Sequence, residues 1–271
     1  MKISECRLGF VGFGHMAEVI FRAIDRAKLI PHSQISFIRK DQHKMRENEK
    51  ELGITSTTLQ TLVKKSDIIL LAVRPHQAEG VLSEMARIGV DPSKMVVSVL
   101  AGVQLAYYQK YFTSQLLRLL PNLASAVGEG MSIFTYGPSP SVEFRSLTNL
   151  LFSCMGEIIE VPENLMDISC GISGSGPAFV IRLIAAMASA GEKGGLSHEK
   201  ALKMAAQTFS GAAKLILKGK DPSILLSQIA VPNGTTEAGL RVMSDHHMDE
   251  HFRSVVDAAA KRSKELSEEF S

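Results

Sequence analysis

Six residues near the N-terminus constrain the fold of this chain more than any others. Gly12-Phe13-Gly14-His15-Met16-Ala17 follows directly on the apolar run from Arg7 to Val11 and opens a segment, Met16 to Lys28, with apolar residues at helical spacing. A strand that turns into a helix through G-x-G-x-x-[GA] makes specific steric demands. Gly12 permits the tight turn, Gly14 has no side chain to hold an anion away from the backbone, and Ala17 lets the helix lie close to the sheet. The free N–H groups and positive dipole end of that helix then form a receptor for phosphate groups.

The same alternation continues downstream. Apolar runs at Gln34 to Ile38, Ile68 to Ala72, Met95 to Val99 and Gln115 to Leu119 are separated by helix-period segments Asp41 to Leu52, Thr58 to Lys65 and Gln77 to Arg87, and a sixth strand is expected at Met131 to Tyr136. That pattern describes a mostly parallel sheet covered by helices. We therefore expect an α/β chain with an N-terminal Rossmann-type dinucleotide-binding domain over residues 1–161 and an all-helical domain over 162–271. In the latter, Pro177 to Lys193, His198 to Lys218 and Asp249 to Ser267 read as long helices. The first carries only Arg182 before Glu192 and is apolar nearly all round, so it is expected to be buried on every side, in a subunit interface.

Charge narrows the partners. Thirty Lys and Arg against 28 Asp and Glu leave a formal +2, too little to call for nucleic acid or an acidic membrane. Cys6, Cys154 and Cys170 are odd in number, far apart and without C-x-x-C spacing, the pattern of reduced thiols in a cytoplasmic protein rather than a disulfide frame or metal site. The first residues lack the ordered regions of a secretion leader, and no uncharged apolar stretch approaches about 18 residues, so no membrane segment is expected.

The second strand ends Arg39-Lys40, about where NAD enzymes of this fold place an acidic residue for the ribose 2′-hydroxyl. Two cations there suit a 2′-phosphate instead and point to NADPH, with NADH less preferred. The bland alternative is that both side chains merely solvate a helix entrance. Two further helix entries stand in the second half, Ser173-Gly174-Ser175-Gly176-Pro177 and Val231-Pro232-Asn233-Gly234-Thr235-Thr236-Glu237. Each alone reads as a cap; if both converged on the nicotinamide, they would make a receptor for a small carboxylate.

Other chemistries fail in the letters. No tyrosine is followed four residues later by lysine, as a short-chain dehydrogenase requires. His247-Met248-Asp249-Glu250-His251 matches H-x-x-E-H and would put two histidines on one helical face, but without a third ligand it reads as a solvated surface, and no metal is expected. Arg182 is the sole candidate for the basic catalytic residue of a hydroxyacid dehydrogenase, and that family's surrounding pattern is missing.

Taken together, LGFVGFGHMAE, LLAVRPHQ, SVLAGV, LPN, GISGSGPAF and PNGTTEAGL resemble the pyrroline-5-carboxylate reductases, from Leu8 to about Leu266. The last two motifs are the specific ones. The resemblance implies reduction of 1-pyrroline-5-carboxylate to L-proline with NAD(P)H, and homodimers interlocked through C-terminal helices and often assembled into decamers. It further implies that Gly12, Phe13, Gly14, His15 and Met16 hold the pyrophosphate, Arg39 and Lys40 the adenosine phosphate, and Ala72, Val73, Arg74 and Pro75 the ribose region. Ala101, Gly102 and Asn122 would lie near the nicotinamide; Val231, Gly234, Thr235 and Thr236 would meet the imino-acid substrate, with Thr236 bonding its nitrogen or carboxylate.

Departures are equally specific. His15 replaces the family's usual Asn, Arg74 the usual Lys, Leu59 a frequent Asn, Val231 a substrate-contacting Ser, and Ala185 a common carboxylate. Val231 and Ala185 keep two rivals open: a reductase of another cyclic imino acid, and a catalytically silent NADP-binding regulatory paralogue.

Overall fold

The computed structural model describes residues 2–270. Its strands are β1 (Leu8–Val11), β2 (Ile35–Ile38), β3 (Thr55–Ser56), β4 (Ile68–Leu71), β5 (Met95–Ser98), β6 (Gln115–Leu120), β7 (Gly130–Tyr136) and β8 (Gly156–Glu160). They form one sheet in the order β3-β2-β1-β4-β5-β6-β7-β8, parallel throughout except where β6 meets β7. The helices are α1 (His15–Arg26), α2 (Gln42–Leu52), α3 (Leu59–Lys65), α4 (Ala78–Ile88), α5 (Leu105–Gln109), α6 (Val142–Phe152), α7 (Met166–Ser169), α8 (Gly176–Lys193), α9 (His198–Leu217), α10 (Pro222–Ile229), α11 (Thr235–Asp245) and α12 (Met248–Glu268).

Strands β1, β4 and β5 are buried at every position, as apolar runs covered on both faces must be. One face packs Phe10, Phe13, Phe21 and Phe37 with Ile20 and Leu70; the other packs Val11, Leu62, Ile69, Leu82 and Tyr108. All six expected strands are present. Two more were not foreseen, β3 and β8, each paired on one side only. Edge strands need no continuous apolar run, and theirs are short, polar or charged. Helix starts follow side-chain chemistry, with Asp41 accepting from the Lys44 N–H, Thr58 from Thr61 and Ser141 from Phe144.

The chain divides into two compact units, residues 2–175 with 258–270, and Gly176–Asp257. The first therefore extends past the expected division at 161/162, for a packing reason. Met166 is buried against Leu120 and Ile133 of the sheet, and Ser263 donates to Asp167 at 2.7 Å. The chain's last residues join them, Leu266 lying against Gly102 and the Phe270 ring meeting Tyr107 edge-on at 5.7 Å.

The second unit is helical. Helices α8 and α9 pack through the small residues Ala188, Ala201 and Ala205, with Ile184 beside them. Helix α8 was expected to be buried on every side; within one chain it buries Ala188 and leaves Val180, Ile181 and Met187 exposed. The helical stretch Glu163–Lys193 is long and apolar enough, by length and composition, to cross a membrane, and little of it is buried.

Candidate functional site

Register sets the site's first half. Val11 pairs with both Ile38 and Leu71, and Leu71 with Ser98, so β1, β2, β4 and β5 end level at their carboxyl edge. The bonds continue one residue beyond: the Gly12 N–H donates to the Ile38 carbonyl at 3.0 Å, Ala72 to Val11 at 2.8 Å and Val99 to Leu71 at 3.0 Å. Gly12, Arg39 and Ala72 consequently leave the sheet side by side. Because β2 and β4 flank β1, strand order reverses here, and the loops diverge to leave a crevice at this edge.

Gly12 takes φ +87°, and a Cβ there would stand 2.7 Å from the Ala72 carbonyl oxygen and 2.8 Å from Val73 Cγ1. The position thus excludes a side chain on both torsional and steric grounds. Gly14 differs: a Cβ would meet nothing within 4 Å, and the residue is the uncapped N-terminus of α1. The first N–H groups of that helix, at His15, Met16 and Ala17, have no partner in a preceding helical turn. An uncapped, unobstructed, electropositive helix end fits a dinucleotide diphosphate. Phe13 belongs to the turn and to the core at once. Its side chain is buried in the core, 4.8 Å from Phe37 and 5.3 Å from Phe10 ring to ring, so only its backbone is available to a ligand.

Arg39 and Lys40 differ as well. Lys40 is exposed, whereas half-buried Arg39 donates from Nη1 to Asn48 Oδ1 of α2 at 2.6 Å. The neighbouring carboxylate, Asp41, caps α2; the Lys44 N–H it accepts holds its carboxyl below the usual range. Arg74 is exposed, and its N–H donates to Gln77 at 3.2 Å in the turn that Pro75 begins.

Beyond β5, Ala101 is exposed but Gly102 is buried, at φ +76°, with Leu266 Cβ 2.9 Å from where its own Cβ would lie. Gly102 thus faces the C-terminal segment, and its exposed neighbour Ala101 is the residue of the pair open to a ligand. Asn122 is buried, and its Nδ2 donates to the Ser173 carbonyl at 2.9 Å, joining the LPN and GSGP segments; its Oδ1 is buried with no partner among the described residues. The residues before Pro177 are already helical, as α7 and then a π-helical turn, Cys170–Gly174. Pro177 therefore enters an ongoing helical path, and the expected free helix start is replaced by a π-turn, a frequent mark of functional segments.

In the second unit the Val231–Thr236 turn is as tight as its letters imply. Asn233 takes φ +61°, the Gly234 N–H donates to the Val231 carbonyl at 3.0 Å, and Glu237 accepts the Asn233 N–H at 2.8 Å. Thr235 is exposed, Thr236 half-buried, and Gly234 is an N-cap without a side chain, so the start of α11 is uncapped like that of α1. Val231 is 57% exposed. His247 lies in a turn at φ +49° just before α12, and its carbonyl accepts the His251 N–H at 3.1 Å. Among the described residues, no three His, Cys, Asp or Glu side chains are grouped to hold a metal ion.

Sequence reasoning missed Arg118. It is 1% exposed on β6, with Nη1 3.4 Å from Glu163 Oε1 and with Nε and Nη2 lacking a partner among the described residues. A lone arginine inside QLLRLL was the available signal. Glu163 also accepts the Leu105 N–H at 2.7 Å, tying the loop after β5 to the segment before α7.

Comparison with known proteins completes the picture. Residues 163–266 match the family described as pyrroline-5-carboxylate reductase dimerisation, and residues 7–102 that described as NADP oxidoreductase coenzyme F420-dependent. Pyrroline-5-carboxylate reductase 1 of Bacillus subtilis is 34% identical, covering 98% of this chain and 91% of its own; the Methanosarcina acetivorans reductase is 34% identical, covering 96% and 97%. The crystal structure of Plasmodium falciparum pyrroline carboxylate reductase with NADP bound superposes with a TM-score of 0.88 at 27% identity, over 98% of this chain and 99% of that one. With such similarity over nearly its whole length, the chain belongs to the pyrroline-5-carboxylate reductase family.

Proposed function

We propose that this protein reduces 1-pyrroline-5-carboxylate to L-proline with NADPH. The observation that carries the reading is the end-to-end match to reductases of that name, together with an open, uncapped glycine turn where the cofactor's diphosphate has to lie. When bound, the reduced nicotinamide supplies the hydride for the C=N carbon. Gly12 to Met16 receive the diphosphate through backbone N–H groups, and Arg39 and Lys40 take the adenosine phosphate. Ala72 to Pro75 border the ribose, with Ala101 and Asn122 toward the nicotinamide and Gly102 shaping the turn beside Ala101. The unpartnered Asn122 Oδ1 is a ready acceptor for an amide N–H.

Gly234, Thr235 and the N–H groups opening α11 receive the substrate carboxylate, and the Thr236 hydroxyl hydrogen-bonds the carboxylate or ring nitrogen. A protonated imine is already electrophilic, so alignment does most of the work and no strong general acid is required. The family division we adopt is 1–161 for cofactor and 162–271 for substrate and dimerisation, supported by the dimerisation match from 163. Homodimers form through the C-terminal helices, whose exposed apolar side chains need covering, and assemble further into decamers in the cytoplasm, where the three unpaired cysteines stay reduced.

The test is NADPH oxidation by purified protein with and without 1-pyrroline-5-carboxylate, with proline identified as product. A second reading, reduction of another cyclic imino acid, is favoured by exposed Val231 in place of a serine; it predicts turnover with more apolar cyclic imines and none with 1-pyrroline-5-carboxylate. NADPH binding without turnover of any imine would instead mark a regulatory paralogue.

A further inference from the structure

Helix α2 is polar along most of its length and buries two residues, Leu52 and Asn48. A buried amide is unfavourable unless bonded, and the Asn48 Oδ1 accepts the 2.6 Å bond from Arg39. The helix that carries Asn48 is itself fixed. Asp41 caps its start, Glu49 accepts the Ser56 N–H at 2.7 Å, and Glu51 accepts from Arg22 of α1 at 2.6 Å. Arg39 is therefore held by one nitrogen to a rigid support, and its Nε and Nη2 groups make no hydrogen bond with any described residue.

Arg39 lines a groove with Lys44, Glu47, Asn48, Lys50 and Glu51. Of the two glutamates there, Glu51 is paired with Arg22, and Glu47 lies 3.4 Å from His43, an ion pair when that histidine is protonated. What the groove presents to an anion is the free edge of a guanidinium whose rotamer was settled on folding. A free arginine gives up that freedom at binding, whereas one already held does not.

Resting on the cofactor reading above, we propose that Asn48 is a positioning residue for cofactor choice. It touches no cofactor atom; it holds Arg39 so that Nε and Nη2 form a preset fork for a phosphate on the adenosine ribose. NADH lacks that phosphate and gains nothing from the arrangement.

The test is calorimetric titration of the whole protein with NADPH, NADH and adenosine 2′,5′-bisphosphate. Asn48→Leu is expected to weaken NADPH and the bisphosphate by roughly three- to tenfold while changing NADH by less than about twofold. Asn48→Gln, which keeps an uncharged amide acceptor, is expected to restore much of the wild-type ratio, whereas Asn48→Asp, whose carboxylate would neutralise Arg39, is expected to lower it. A merely structural role would weaken both nucleotides alike and leave the ratio unmoved, which overturns the proposal. Tighter NADPH binding by Asn48→Leu overturns it too, since Asn48 would then be withholding Arg39. If Asn48→Leu leaves the ratio intact while Arg39→Leu lowers it, Asn48 is excluded and the cofactor reading stands. No effect from Arg39→Leu removes Arg39 from the adenosine-phosphate site and this inference with it.

Discussion

The sheet unit and the helical unit bury their apolar residues differently. In the first, Phe10, Phe21, Phe37, Leu8 and Ile24 are at most 1% exposed; in the second, the buried hydrophobics are Ala188, Ala201 and Ala205, while Met187, Met204, Ile216, Leu226 and Val242 lie open. One region completes its core within a single chain. The other carries the apolar surface of an interface, in keeping with its dimerisation family. The lesson is that an apolar helix pattern predicts burial without saying in which chain the covering surface lies.

Changes in the sheet unit are expected to have the largest effect. Gly12→Val forces a β-branched residue to φ +87° against the Ala72 carbonyl, and strain plus overpacking is expected to destabilise the fold by about 2–6 kcal/mol and abolish NADPH binding. Thermal unfolding and nucleotide titration check both effects. A silent Gly12→Val would mean that the turn is not built as described.

Next comes alkaline pH. Burial pushes the Cys6 thiol from 9.0 to about 11, so the folded state holds a proton that the unfolded state has lost. The stability this contributes is present below pH 9 and is lost as pH rises to 11, at most about 2–3 kcal/mol. Denaturant midpoints across that range should fall, and Cys6→Ala should flatten the slope. The helical unit's shifted carboxyl, Asp221, is held low by Ser223 at the surface and contributes nothing in that range.

Smaller effects sharpen the division of labour. Thr236→Val is expected to lower kcat/KM for the imine by roughly 10- to 100-fold with NADPH affinity unchanged, the loss of one hydrogen bond to a charged group. Replacing Arg39 and Lys40 by Leu together should reduce the preference for NADPH over NADH by about tenfold. The least costly change is Met187→Glu at an apolar groove lined by Leu183, Phe209, Met243 and Phe252. It should shift sedimentation toward monomer while leaving the single chain's helical content intact.

Much of this was legible in the letters because it is local. The apolar runs of β1, β2, β4 and β5, the Asp41 and Thr58 caps and the glycine turn each follow from neighbouring residues. What stayed hidden depends on partners far along the chain. The Arg118–Glu163 pair spans 45 positions, Asn122 reaches Ser173, and Leu266 closes over Gly102. Phe13 was read as part of a ligand loop, and the letters left open that its ring completes a four-phenylalanine core, since a motif position does not say which way a side chain turns. The π-turn before Pro177 was masked by a proline that usually opens helices.

The most direct test of the central claim is a single assay, in which purified protein and NADPH are mixed with 1-pyrroline-5-carboxylate and proline is quantified against NADPH consumed. The expected result is turnover with one proline formed per NADPH oxidised. Binding of NADPH without proline formation would contradict it and return the weight to Val231 and another cyclic imine.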